Sequence, residues 1–226
     1  MNWFLHGALG CPADWDAWRR EDDVAVDLYA DLAPYDEWAT RFCTQVRALD
    51  AAPVLIGYSM GGRLALHALR ADPGLWRRAL IVSAHSGLKT EEERAARLKN
   101  DGAWAAKARQ LPWDAFLGEW NTQPVLAGNV DALSGREALE ARREAVAEAF
   151  DCWSLGRQAN LLPFLENLNV PVTWLAGERD AKFTAVARTS VGNLPQGRLE
   201  IVADAGHRVP WEQPERFRTF VQAESG

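Results

Sequence analysis

One alcohol, one carboxylate and one imidazole occur in this chain in an order and setting suited to nucleophilic or proton-abstracting chemistry. Ser59 stands in Gly57-Tyr58-Ser59-Met60-Gly61-Gly62, after the apolar run Val54-Leu55-Ile56 and before Leu64, Ala65, Ala68 and Leu69 at helical spacing. This GxSxG pattern predicts a buried strand, a sharp turn with the serine at its apex, and a helix whose free N–H groups favour an oxyanion beside the hydroxyl. A serine hydroxyl is a weak nucleophile and a weak base until an imidazole takes its proton. The imidazole in turn needs a carboxylate to fix its tautomer. Asp180, in Gly177-Glu178-Arg179-Asp180 after the apolar run Val170 to Ala176, and His207, in Asp204-Ala205-Gly206-His207 after Leu199-Glu200-Ile201-Val202, supply both in the expected chain order.

Glu178 and Asp204 neighbour the chosen acid and base, and His6, His67 and His85 are the other imidazoles. His67 belongs to the helix after the turn and reads as packing. His6 opens the loop His6-Gly7-Ala8-Leu9-Gly10, whose backbone matters more than the ring: the Ala8 amide, with that of Met60, is the expected oxyanion donor pair. His85 follows a strand and is a candidate to line the pocket. No HExxH, close His/Cys cluster, EF-hand or Walker spacing occurs, so neither a metal nor another cofactor is expected.

These residues need a parallel sheet to bring them to one edge. Strand signals fall at Trp3 to His6, Val24 to Asp27, Val54 to Gly57, Ala79 to Ser83, Val172 to Ala176 and Leu199 to Val202. Helices are predicted over 36–50, 61–71, 183–191 and 214–223. Between Ser83 and Val170 the strand signal gives way to helical patterns, opened by the acidic turn Thr90-Glu91-Glu92-Glu93 and again by Ser134-Gly135-Arg136-Glu137. That predicts a core over 1–84 and 170–226 with a helical cap over 85–169, above the strand ends where open α/β sheets hold ligands. Trp104, Trp113, Trp120 and Trp153, in the same stretch, suit a lid over an apolar pocket.

A chain of 226 residues with 48% hydrophobic and 25% charged residues can bury a full core. Its net charge of −6 offers no basic stripe for nucleic acid or an anionic membrane, while leaving room for a small anionic ligand. No leader-like or membrane-spanning run is visible, and Cys11, Cys43 and Cys152 read as reduced thiols, so the expected compartment is the cytoplasm.

The Ser59, Asp180, His207 order, the His6-Gly7 loop and the helical insertion resemble the α/β-hydrolase superfamily over nearly the whole chain. Within it, Gly57 to Arg63, His85-Ser86-Gly87-Leu88 with Glu93 to Arg97, Trp120-Asn121-Thr122-Gln123-Pro124-Val125 and Gly177 to Phe183 look like the SHCHC-synthase family of menaquinone biosynthesis. The resemblance implies an α/β-hydrolase fold: a mostly parallel sheet flanked by helices, a helical cap between strands, and the usual N-terminal antiparallel strands reduced or absent. It implies a lyase that eliminates pyruvate from an enolpyruvyl-substituted cyclohexene carboxylate. Arg63, Arg97 and either Arg142 or Arg143 would hold carboxylates, beside Tyr58 and Trp120. Guanidinium forks match carboxylates bidentately, which independently suits arginines placed on both the turn helix and the cap. The same triad equally suits a carboxylesterase or thioesterase working through an acyl-serine.

Overall fold

A computed structural model describes residues 1–126 and 135–226. Six strands, β1 (Asn2–Leu5), β2 (Val24–Val26), β3 (Val54–Tyr58), β4 (Arg78–Val82), β5 (Val172–Gly177) and β6 (Gly197–Val202), form one sheet in the order β2-β1-β3-β4-β5-β6. Every adjacent pair is parallel, with Leu5 opposite Gly57 and Gly57 opposite Ile81. All six predicted strands are present, with ends displaced by one or two residues.

Both faces of this sheet are covered, which is why its strands read as continuous apolar runs. Trp3, Leu5, Leu55, Ala79, Ile81 and Trp174 point into one core; Phe4, Val54, Ile56, Leu80, Val82 and Leu175 alternate into the other. Helix α1 (Tyr35–Leu49) buries Tyr35, Trp38, Ala39, Phe42, Cys43 and Val46 at i, i+3, i+4, i+7, i+8 and i+11 on the first face, beside α2 (Met60–Ala71). The opposite face carries Trp15, Trp18, Phe217 and Val221.

Between β4 and β5 lie α3 (Glu91–Gln110), α4 (Trp113–Asn121), α5 (Arg143–Cys152) and α6 (Leu162–Leu165). Thr90 and Glu93 close a capping box at the start of α3: Glu93 N–H donates to Thr90 Oγ1 at 3.2 Å and Thr90 N–H to Glu93 Oε2 at 3.0 Å. The second predicted start differs. Ser134 lies outside the described residues, and Arg136–Arg142 form a 3₁₀ turn after Gly135 at φ 78°, so α5 begins only at Arg143. The remaining helices are α7 (Ala181–Val191), α8 (Val209–Glu212) and α9 (Pro214–Ser225). Among the described residues no helix is long and apolar enough to cross a membrane.

The strand order changes direction at β1, which has β2 on one side and β3 on the other. The loops leaving β1 and β3 therefore diverge at the carboxyl edge, opening the crevice in which such sheets hold ligands.

Burial pushes His6, His67 and His85 down from 6.5 to about 4. Their folded-state values lie below the unfolded one, so their contribution is fully present above pH 6.5 and is lost as pH falls toward 4. The expected slope is about 1.4 kcal/mol per pH unit for each histidine. Thermal unfolding at a series of pH values should show Tm dropping through that window, with a shallower drop in His67→Gln; an unchanged slope in that variant would remove His67 from this balance.

Candidate active site

The apex of the turn after β3 is Ser59, at φ 51° and ψ −108°, a conformation that costs a non-glycine residue about 1–3 kcal/mol. Two contacts impose it. Ser59 N–H donates to the Val82 carbonyl at 2.8 Å, fastening the turn to the end of β4. Gly61 lets α2 start hard against β1, since a Cβ there would lie 2.3 Å from the Leu5 carbonyl oxygen. The hydroxyl is thus presented above the sheet edge.

Asp180 caps α7 and orients the imidazole with different oxygens. Its Oδ1 accepts the Phe183 N–H at 3.1 Å, while its Oδ2 lies 2.7 Å from His207 Nδ1. Since a carboxylate only accepts here, Nδ1 carries the proton and Nε2 is left to accept from Ser59 Oγ, 3.1 Å away. Asp180 and His207 are each only 5% exposed at the side chain, so their charge-assisted bond is shielded from water. The imidazole sits between the rings of Phe183 and Tyr58, at centroid distances of 4.5 and 5.6 Å.

The loops after β5 and β6 are tied together beneath this pair. Glu178 N–H donates to the Val202 carbonyl at 2.9 Å and Arg179 N–H to the Ala205 carbonyl at 2.8 Å. Glu178 Oε2 accepts from the Asp204 amide at 3.3 Å, so these two neighbouring acids brace the loops and neither holds the imidazole.

Opposite them, the loop after β1 is held by its own histidine. His6 Nδ1–H donates to the Gly7 carbonyl at 2.8 Å, and Nε2 accepts the Leu28 N–H at 3.2 Å. Leu9, at φ 54°, donates its amide to the Tyr29 hydroxyl at 2.8 Å, and Gly10 N–H closes on the Gly7 carbonyl. Among the described residues the amides of Ala8 and Met60 have no acceptor, and both residues line the cavity beside Ser59. That geometry leaves two donors for a developing oxyanion.

The cavity holds about 120 Å³, and Gln123, Val125, Lys182 and His207 line both it and a neighbouring wider cleft of about 850 Å³. Tyr58, Arg63, His85, Arg97 and Trp120 all line the cavity. Arg63 donates to the Trp153 carbonyl at 2.6 Å and to the Tyr35 hydroxyl, and burial holds its guanidinium below the usual arginine range. Arg97 Nε meets both oxygens of buried Asp101 at 2.8 Å. Asp101 also accepts from Ser154 Oγ at 2.7 Å. His85 receives the Gly87 N–H on Nδ1 at 3.0 Å, so its neutral ring keeps the proton on Nε2 as a donor at the cavity wall. Trp120 packs against Trp104 and Phe150, each 5.1 Å away between centroids.

Arg142 requires a correction. It does not line the cavity: its Nη1 donates to Asp27 Oδ2 at 2.6 Å and its guanidinium lies over the Tyr29 ring. Arg143 instead donates to the carbonyls of Arg109 and Leu111. Two cations that the resemblance did not assign, Lys182 and Arg208, line the cavity. Arg208 is 2% exposed and donates to Asn121 Oδ1 at 2.7 Å, linking the residue after His207 to the end of α4. Among the described residues, Asp101 is then the one acid lining a cavity with Arg63, Arg97, Lys182 and Arg208. His67 sits away from it, stacked on Tyr35 and bonded to Asp36. Its burial outweighs that carboxylate and keeps the ring neutral.

The alpha/beta hydrolase family model matches residues 4–220. The chain is 38% identical to a 2-succinyl-6-hydroxy-2,4-cyclohexadiene-1-carboxylate synthase of Yersinia pestis, covering 97% of this chain and 85% of the relative. It is 35% identical to the synthase of that name from Pectobacterium atrosepticum, covering 96% and 92%. Among solved structures it is similar to MenH from S. aureus, with a TM-score of 0.84, 22% identity and coverage of 99% and 92%. A thermophilic esterase from Thermogutta terrifontis has a TM-score of 0.78 at 22% identity, covering 98% of this chain and 88% of that one.

Burial pushes His85 down to about 4, so its ring stays neutral through the mildly acidic range. The acid limb of kcat/KM should therefore persist at the same pH in His85→Gln. A limb that vanished in that variant would instead make His85 the group whose protonation sets it.

Proposed function

The chain belongs to the alpha/beta hydrolase family and is an enzyme of its 2-succinyl-6-hydroxy-2,4-cyclohexadiene-1-carboxylate synthase branch, and from that premise we propose that it eliminates pyruvate from the enolpyruvyl precursor of that product. The observation that carries the reading is the cluster of Arg63, Arg97, Lys182 and Arg208 around the cavity beside Ser59, in a chain of net charge −6 overall. A precursor bearing several carboxylates is the ligand such a cavity selects.

In this reading Ser59, His207 and Asp180 are catalytic, and Ala8 and Met60 donate to the oxyanion. Tyr58, Arg63, His85, Arg97 and Trp120 bind substrate. Residues 85–169 act as the cap that completes the cavity. Ser59, relayed by His207, takes the proton from the ring carbon next to the succinyl ketone. The electron pair enters the ketone to give an enolate facing the two amides. Its return through the ring alkene breaks the carbon–oxygen bond to the enolpyruvyl group, whose oxygen leaves with the electron pair, and the departing enolate takes up the abstracted proton at its methylene carbon to become pyruvate. One proton and one leaving group are exchanged, with no net oxidation. Neither metal nor cofactor is required by these steps. The location we propose is the cytoplasm.

A second reading, a carboxylesterase or thioesterase forming an acyl-serine, is favoured by the same Ser59 geometry and by the likeness to an esterase structure. Purified protein supplied with the enolpyruvyl precursor should release pyruvate in step with the cyclohexadiene chromophore, and Ser59→Ala should lose at least about 10³-fold in kcat/KM. Rapid turnover of a short p-nitrophenyl ester without pyruvate release would establish the esterase reading instead. Arg63→Ala and Arg97→Ala should each lose roughly tenfold or more in kcat/KM, the cost of a charge-assisted bond worth about 1.5–3 kcal/mol. Unchanged kinetics in both would remove these guanidiniums from substrate binding.

A further inference from the structure

His207 is held at its ring by Asp180, but a ring is only as well placed as the backbone that carries it. That backbone is gripped by a residue with no part in the triad. Glu212 closes α8 five residues downstream, and its carboxylate straddles the histidine: Oε2 accepts the Gly206 N–H at 2.8 Å and Oε1 accepts the Arg208 N–H at 3.0 Å. The two amides flanking His207 therefore end on the two oxygens of one side chain.

Each part of this clasp has a local cause. Residue 206 is glycine, where a Cβ would lie 3.1 Å from Glu212 Oε1 and crowd the carboxylate. The short helix turns back at once, because Glu212 N–H and Trp211 N–H both return to the Arg208 carbonyl at 3.0 Å. Arg179, from the loop carrying Asp180, reaches Glu212 Oε2 at 3.3 Å and donates to the Asp204 carbonyl. With its side chain 7% exposed, the carboxylate is shielded enough for these bonds to count. Two amides are satisfied by one group, and the 205–206 and 207–208 peptide planes, which bracket the Gly206-His207 segment, lose their freedom to rotate.

We propose that Glu212 is a positioning residue for His207: it fixes the backbone from which the imidazole reaches Ser59 and so sets the fraction of enzyme in a proton-transferring geometry. This rests on His207 being the base and holds for the lyase and the esterase readings alike. A base displaced by about 1 Å loses on the order of 10²-fold in rate.

The test is a double-mutant cycle between Glu212→Gln and His207→Ala, read with whichever turnover the wild-type protein shows. Glutamine has nearly the same shape but turns an NH₂ toward one of the two amides, so one of the paired bonds fails while the fold is kept. Glu212→Gln should lower kcat about 30- to 100-fold with KM changed less than about threefold, and should cost almost nothing in the residual activity of His207→Ala. Glu212→Asp, which keeps both oxygens, should recover part of the loss. An unaltered kcat in Glu212→Gln, or the same fold loss with and without His207, would overturn the positioning role. Full activity in His207→Ala would overturn the base assignment itself. A Glu212→Gln protein that melts far below the wild type and loses kcat in proportion to its unfolded fraction would also overturn the proposal, since the residue would then serve stability alone.

Discussion

The bond between Asp180 Oδ2 and His207 Nδ1 is the constraint on which the site depends. It spans two loops that leave neighbouring strands, so it forms only if β5 and β6 lie in register and their loops close on each other. Gly177 makes that closure possible: a Cβ there would sit 2.0 Å from the Gly206 carbonyl oxygen. The same carboxylate starts α7 through the Phe183 amide, so the helix and the imidazole are positioned by one side chain. Once Nδ1 is committed as a donor, Nε2 must accept, and Ser59 Oγ is the group within reach.

Facing this pair is a wall of cations already held by neutral or acidic protein groups. Arg63 is tied to the Trp153 carbonyl and the Tyr35 hydroxyl, Arg97 to Asp101, and Arg208 to Asn121. Such tethers limit the side-chain entropy lost when a ligand arrives and keep the positive charge aimed at the cavity. The Arg208 bond to Asn121, together with the bonds from the Tyr35 hydroxyl to the Trp153 carbonyl and from the Trp153 indole to the Ala33 carbonyl, joins the helices between β4 and β5 to α1 and to the loops around the sheet. The cavity of about 120 Å³ is smaller than the roughly 300 Å³ at which sites for drug-sized ligands begin. A ligand of that size needs more room than this cavity holds, and the wider cleft that shares Gln123, Val125 and Lys182 with it lies alongside.

The strands were legible because a sheet covered on both faces is written as uninterrupted apolar runs, and the positions of Ser59, Asp180 and His207 because each follows such a run in the order the turn motif implies. What stayed hidden depends on contacts between distant residues. Arg142 pairs with Asp27, 115 positions away, and nothing in the local charge pattern separates that arginine from one facing a cavity. Arg208 carries no pattern of its own; only the meeting of its loop with α4 makes Asn121 its acceptor. Asp101 reads as one charge among many in α3 until Arg97 and Ser154 are seen to converge on it. Glu212 was silent for another reason, since its partners are backbone amides and those have no signature in the sequence.

The tautomer of His207 tests the central claim most directly, and ¹⁵N NMR of histidine-labelled protein at neutral pH reads it without substrate. With Asp180 accepting from Nδ1, the His207 resonances should show a protonated Nδ1 and an unprotonated Nε2, and Asp180→Asn should abolish that pattern. A proton found on Nε2 in the wild-type protein would contradict the account, because that nitrogen could no longer take the proton of Ser59.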